Sequence, residues 1–359
     1  MTQKLLVLTA TGKGAFILEA TPDRRDWTLH GPLCDAQPTS HLVADPRTGT
    51  IWAGGGDAWR GPAVWRSTDH GRRFERFDDG LAYPEGEARM KTVWALARAR
   101  GRLLAGVEPA GLFESDDDGQ TWQHVQGLTD HPSRPEWQPG GGGLILHHVL
   151  PHPEDPEQIW VAVSTAGVFH TKDGGRSWTP RNQGTRCDFL ATGPTYPEYG
   201  QCVHSLAMAR TRPDRLYQQN HCGMYRTDDG GRSWTSIEAG LPSDFGFALA
   251  THPTDPDTAW LIPLVGAEHR YPPEGRLAVW RTTDAGRTWT DLRQGLPQEN
   301  AFVCILRQAM ATDPLTPTGL YFGTTSGTLY ASPDEGRSWT PITRNLPAIR
   351  AVETVLVEE

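Results

Sequence analysis

Apolar residues come along this chain in short runs of about four to seven, separated by Gly, Asp, Ser and Pro. Runs of that length between turn formers predict β-strands, not helices. Thr92–Ala97, Arg102–Gly106, Gly111–Glu114 and Trp122–Val125 form one such set, and they predict four consecutive strands, A to D. Between C and D of this set lies an eight-residue box, Ser115 to Trp122. The same Ser/Thr-x-Asp-x-Gly-x-x-aromatic pattern returns at Ser67–Phe74, Thr171–Trp178, Thr227–Trp234, Thr282–Trp289 and Ser332–Trp339. A worn copy, Thr21 to Trp27, keeps the hydroxyl, the acid and the Trp but lacks the Gly.

The box reads physically as a hairpin turn. The Asp carboxylate accepts N–H bonds from its own turn, and the Gly supplies the positive φ that a tight turn needs. The closing aromatic is large enough to fill the space between neighbouring sheets. The box aspartates, Asp23, Asp69, Asp117, Asp173, Asp229, Asp284 and Asp334, recur at intervals of about 50 residues, the length of one four-stranded propeller blade. The chain is therefore expected to be all-β, one seven-bladed propeller of four-stranded antiparallel blades. Lys4–Thr9 and Gly14–Ala20 read as strands B and C of a blade that lacks its innermost strand. Ala351–Val357, an alternating run at the other terminus, is expected to supply it, so that blade one is shared by residues 1–33 and 346–359 and no sheet edge stays open.

Charge narrows the partners. A formal net charge of -9 argues against nucleic acid, whose backbone demands clustered Lys and Arg. No apolar run approaches the ~20 residues of a membrane helix, and the first residues are too soon polar for a signal peptide, which points to a cytoplasmic protein. Five cysteines make no even disulfide framework, although Cys187 and Cys202 share one loop in which they could pair.

The boxes resemble the Asp-box, or bacterial neuraminidase repeat, of the sialidase superfamily, and the copies span the whole chain. The resemblance implies a β-propeller, and its members include sialidases, xyloglucanases, sortilin-type receptors and the photosystem II assembly factor. It implies a glycoside hydrolase-like or small-molecule hydrolase activity on a carbohydrate or acidic substrate. A non-catalytic scaffold that meets a protein partner at its loop rim is the alternative, and a metal-dependent enzyme is the second. The Arg-Ile-Pro segment of sialidases is not present.

In such a ring the boxes turn at one face, and the D-to-A and B-to-C loops crowd around the channel mouth at the other. Ligand sites favour such concave mouths. His147, His204 and His221 are expected near that mouth, where imidazoles could bind Zn²⁺ or another divalent metal, with His148 and Asn220 lining the same place. Arg60, Arg89, Arg307 and Arg350 could hold a carboxylate through their planar forks. Trp137, Tyr196 and Tyr271 lie on long loops and suit sugar stacking. Glu108, Asp57, Asp188 and Glu353 are the candidate acid/base carboxylates, since glycoside hydrolysis needs two of them facing one bond.

Overall fold

The structure, a computed structural model, describes residues 3–57, 59–86, 88–188 and 193–358. Positions 189–192 of the long Arg181–Gln201 loop lie outside the described residues. Seven four-stranded antiparallel sheets stand around a central axis. Blade three runs Thr92–Ala99, Arg102–Glu108, Leu112–Ser115 and Gln123–Val125, within one residue of the strands predicted, except that the inner strand and the second one each run two residues further. No helix among the described residues is long and apolar enough to cross a membrane.

Burial falls from the axis outward, and this explains the hydrophobic pattern. Strand B of blade four, Ile159–Val163, is covered on both faces by neighbouring blades and is buried at every position. The outermost strand of blade one, Thr28–Leu33, has one neighbour only and is mostly exposed. Buried strands therefore read as continuous apolar runs, while outer strands are polar and short.

The closing strand spans Ile349–Glu358 and pairs antiparallel with Gln3–Thr11, from Gln3 opposite Glu358 to Thr11 opposite Ile349. Both termini thus enter one sheet, as expected from the sequence.

Each full box is built alike. In blade three the Ser115 hydroxyl donates to Asp117 Oδ1 at 2.7 Å and accepts the Gly119 N–H at 2.8 Å. Asp117 Oδ1 also accepts the Gln120 and Thr121 N–H groups. The glycine sits at φ near +88, a conformation that strains any residue with a Cβ, and a Cβ there would also press on Leu103 at 3.1 Å and Trp52 at 3.3 Å. Indoles then staple blade to blade. Trp52, Trp160 and Trp260, each on a B strand, donate to Asp118, Gly230 and Glu335 carbonyls in the box of the next blade.

The worn box closes the ring in a different way. Arg24, at the same positive φ as His70, Asp118, Ala285 and Glu335 in the full boxes, grips Asp313 of blade seven through Nε at 2.9 Å and Nη2 at 3.0 Å. Tyr321 donates its hydroxyl to the same carboxylate at 2.9 Å. Asp313 is fully buried and Arg24 nearly so, so the seam between the last and first blades is held by a bidentate ion pair.

Candidate functional site

The inner strands share an irregularity at their mouth ends. In blade two Thr39 faces Gly55 and His41 faces Gly54, which leaves Ser40 without a partner. Trp94, His147 and His204 are extra in the same way in blades three, four and five, and Phe247 with Ala248 in blade six. A bulge kinks its strand and re-aims the extra side chain. Repeated around the ring, it turns a series of different side chains toward the mouth or the next blade.

Two of the predicted histidines use this device as staples. His147 Nε2 donates to Val203 O at 3.0 Å, and His204 Nδ1 donates to Gly246 O at 2.7 Å. Val203 and Gly246 each begin the inner strand of the following blade. A carbonyl can only accept, so neutral His147 is protonated on Nε2 and its Nδ1 must accept. His148 Nδ1 lies 2.7 Å away and donates to it, while His148 Nε2 is left to accept from the Ser205 hydroxyl at 3.3 Å. Burial, with the neighbouring imidazoles and Arg307, holds His147 and His204 well below the usual histidine range and His148 at about 3. The chain of imidazoles is neutral.

His41, on the inner strand of blade two, accepts the Leu96 N–H of blade three at Nδ1 and faces Glu353 across 3.4 Å.

Blade seven reaches across this mouth. Gln308 donates to the His147 carbonyl of blade four at 2.8 Å, and the Arg307 carbonyl lies 3.4 Å from Ser205 Oγ of blade five. The segment leading into the blade-seven inner strand, Met310–Thr312, therefore reaches the inner strands of blades four and five and carries Arg307 with it.

The Arg307 guanidinium lies 5.1 Å from the centroid of Phe247, and the Arg270 guanidinium lies 5.5 Å from the same ring. Arg307 Nε is buried without a hydrogen-bond partner. Among the described residues neither arginine has a carboxylate within ion-pair distance. Burial, opposed by the thiols of Cys202 and Cys304 and aided by Arg270, pulls the Arg307 pKa down. Two cations thus converge where no acid answers them. Phe247, Arg270 and Ser205 are not predicted site residues, because which of them face the mouth depends on a bulge register invisible in one strand's sequence.

The structure separates the remaining candidates. Arg60 pairs with Asp57 at 3.4 Å on an exposed loop, Arg89 is exposed, and Arg350 lies half-buried in the closing strand. Glu108 binds Lys91 at 2.8 Å and accepts the Trp94 indole N–H at 3.1 Å. Asp188 lies against Cys222, and Glu353 against His41. Among the described residues no two of these four carboxylates share a partner. Trp137 is packed inside the blade-four cluster against Phe169, 4.9 Å between centroids, and Asn220 is wholly buried, while Tyr196 is exposed and Tyr271 meets exposed Phe302 edge-on at 5.2 Å. Two clefts of about 350 and 690 Å³ lie away from the mouth, beside His124 between blades three and four.

His204 and His221 do meet across one hairpin, with ring centroids 5.5 Å apart. Their third neighbour is Cys202 in place of His147: the three ligand atoms all lie within 4.8 Å of one another. All five cysteines are free thiols, Cys187 and Cys202 included.

The family model of the DUF6242 beta propeller domain matches residues 154–357, more than half of the chain. The chain is similar to the oligoxyloglucan-reducing end-specific xyloglucanase of Emericella nidulans, 25% identical over 220 residues, which are 54% of this chain and 26% of that protein. It is also similar to a sialidase of Bacteroides fragilis, 26% identical over 133 residues, 36% of this chain and 23% of that one. The chain spans about a quarter of the length of these curated relatives. In shape it is similar to an ancestral GH74 enzyme, with a TM-score of 0.60 at 18% identity over 86% of this chain and 39% of the other. YCF48 bound to D1 peptide gives 0.54 at 14% identity over 85% and 82%. At such identities the likeness is one of fold.

Proposed function

Because the chain belongs to the DUF6242 beta propeller domain family, whose fold fixes a channel mouth but no chemistry, we propose a function from the mouth itself: recognition of a ligand bearing a carboxylate. The observation that carries this reading is Arg307, half-buried with its Nε covered and unpartnered, laid over Phe247 beside Arg270, and without an acid partner among the described residues. A buried cation left unpaired is costly, and a bound anion offsets that cost through charge-assisted hydrogen bonds. Exposed aromatics on the same face, Trp59, Tyr196 and Phe302, suit stacking on a sugar ring or packing against a peptide around the anion.

Titration calorimetry with N-acetylneuraminic acid, glucuronic acid and neutral glucose tests the reading. We expect the acids to bind and glucose not to, and Arg270→Gln to weaken the acids at least about 10-fold. Equal affinity for glucose and glucuronic acid, or no effect of Arg270→Gln, overturns it.

Hydrolysis is the second reading, and the matches to a xyloglucanase and a sialidase favour it. Against it stands the separation of Glu108, Asp57, Asp188 and Glu353 into four unrelated sets of partners, where two carboxyl groups are needed on one bond. Turnover of aryl sialosides or glucuronides abolished by one of these four substitutions would make the protein an enzyme and the binding reading incomplete.

A further inference from the structure

We propose that Cys202, His204 and His221 form a binding site for a zinc-class divalent metal, with one coordination position open toward the mouth. The argument begins with the hairpin of blade five. Cys202 immediately precedes the inner strand Val203–Met208, and His221 stands in the turn after the next strand, Leu216–Asn220. The His221 N–H donates to the Cys202 carbonyl at 2.9 Å, which fixes the two residues side by side. The bulge at His204 then aims its ring at the same point, since without the extra residue His204 would lie directly in register with the second strand.

The three ligand atoms lie within 4.8 Å of one another, a triangle that small side-chain adjustments close around one ion. His204 is oriented for it. Its Nδ1–H is committed to the Gly246 carbonyl at 2.7 Å, which leaves Nε2 with its lone pair free. Metal-bound imidazoles almost always donate their other N–H in this way. His147, expected in the same set from the sequence, cannot serve: one of its nitrogens donates to Val203 O and the other accepts from His148.

A mixed thiolate and imidazole set suits Zn²⁺ or Co²⁺ and disfavours Mg²⁺ and Ca²⁺, which want oxygen. The charges around the set are mixed. Asp244 and Asp188 act on His221, Arg307 acts on Cys202 and His204, and Arg270 acts on all three. The acids favour a cation, while the arginines favour the thiolate that must form when the metal displaces the thiol proton, one proton released for each metal–sulfur bond. Three protein ligands leave a fourth position for water or an anion. The site goes beyond carboxylate recognition and does not depend on it.

Cobalt reads the site directly, because a Co²⁺–thiolate bond gives a charge-transfer band in the near ultraviolet. Tag-free protein titrated with Co²⁺ is expected to show that band, to saturate at one equivalent, and to lose it when Zn²⁺ is added. Cys202→Ser should abolish the band, His221→Ala should weaken Zn²⁺ at least about 10-fold, and Cys304→Ser should leave both unchanged. His221 is half-buried in a turn, so its variant is expected to fold, and a thermal melt checks each protein. Absence of the band in the unaltered protein with its thiols reduced overturns the proposal, as does a band that survives Cys202→Ser or Zn²⁺ binding that ignores His221→Ala.

Discussion

The rim that carries the boxes and the mouth at the other end of the same strands treat polar groups in opposite ways. At the box rim the aspartate of each full box is answered within its own turn. Asp117, Asp173, Asp229, Asp284 and Asp334 each take a hydroxyl and a backbone N–H from their own turn. Asp313, in the turn after the blade-seven inner strand, is answered by Arg24 and Tyr321. At the mouth the imidazoles are paired, but among the described residues Arg307 and Arg270 have no acid within ion-pair distance. The first rim spends its polar residues on shape, and the second keeps some of them unspent.

The largest expected contrast lies in what removing a charge does. Asp313→Ala leaves Arg24 buried without its carboxylate, held only by the Pro317 and Pro333 carbonyls, a loss of about 3–5 kcal/mol, because breaking a buried pair strands the surviving charge. The seam it opens is the one that joins the last blade to the first, so unfolding in urea should also lose cooperativity. By comparison Asp117→Ala, in an exposed box, should cost about 1 kcal/mol, the worth of ordinary hydrogen bonds. Similar losses for the two variants would mean that the seam is no more than another box.

Acid separates the two regions next. Burial holds the mouth histidines below their unfolded pKa near 6.5, so as pH falls the unfolded chain takes up protons first and the folded state loses stability. The loss begins near pH 6.5 and continues down to the folded pKa, about 3 for His148. Part of that ring faces the channel, so we expect about 1–2 kcal/mol from it between pH 6.5 and 5. The box acids have the opposite timing. Partial burial raises Asp117 and Asp284, but hydrogen bonds to their own turns outweigh it and hold both at about 2. Their contribution is present above the unfolded value near 3.8 and is lost only as pH falls toward 2. Denaturation midpoints measured from pH 7 to 3 should therefore fall in two stages, and His148→Gln should remove part of the first. A flat profile between pH 7 and 5 would mean that the imidazoles are not buried neutral.

The same contrast explains what could be read from the sequence. Box turns are local: hydroxyl, Asp and Gly lie within five residues, so Ser115, Asp117 and Gly119 announce their own geometry, and seven copies announce the ring. The meeting of His204 with His221 was legible too, since both belong to one hairpin. The mouth is otherwise non-local. Arg307 meets Phe247 and Ser205 from another blade, and which inner-strand residue is extra depends on the register of its partner strand. Cys202 stands two residues from His204, a spacing that could have pointed to it, but only the bulge brings the pair to one place. The seam was hidden for a different reason: Arg25 standing where the box Gly should be looks like decay in the sequence, and only Asp313, the distant partner of the adjacent Arg24, makes the turn a clasp.

Arg307→Gln gives the smallest effect on stability and the sharpest test of the comparison. A paired cation would cost several kcal/mol to remove, as at the seam. An unpaired one buried over Phe247 already carries a desolvation cost, and its neighbour Arg270 adds repulsion, so neutralising it should leave stability unchanged or raise it by up to about 1 kcal/mol. The same substitution should abolish binding of the acidic ligand. Stability and binding would then move in opposite directions at one residue, as expected where a charge is kept for a partner and not for the fold. Urea denaturation beside calorimetry on the one variant reads both. A loss of more than about 2 kcal/mol would place Arg307 with Arg24 as a structural clasp, and the mouth would differ from the box rim only in its sequence.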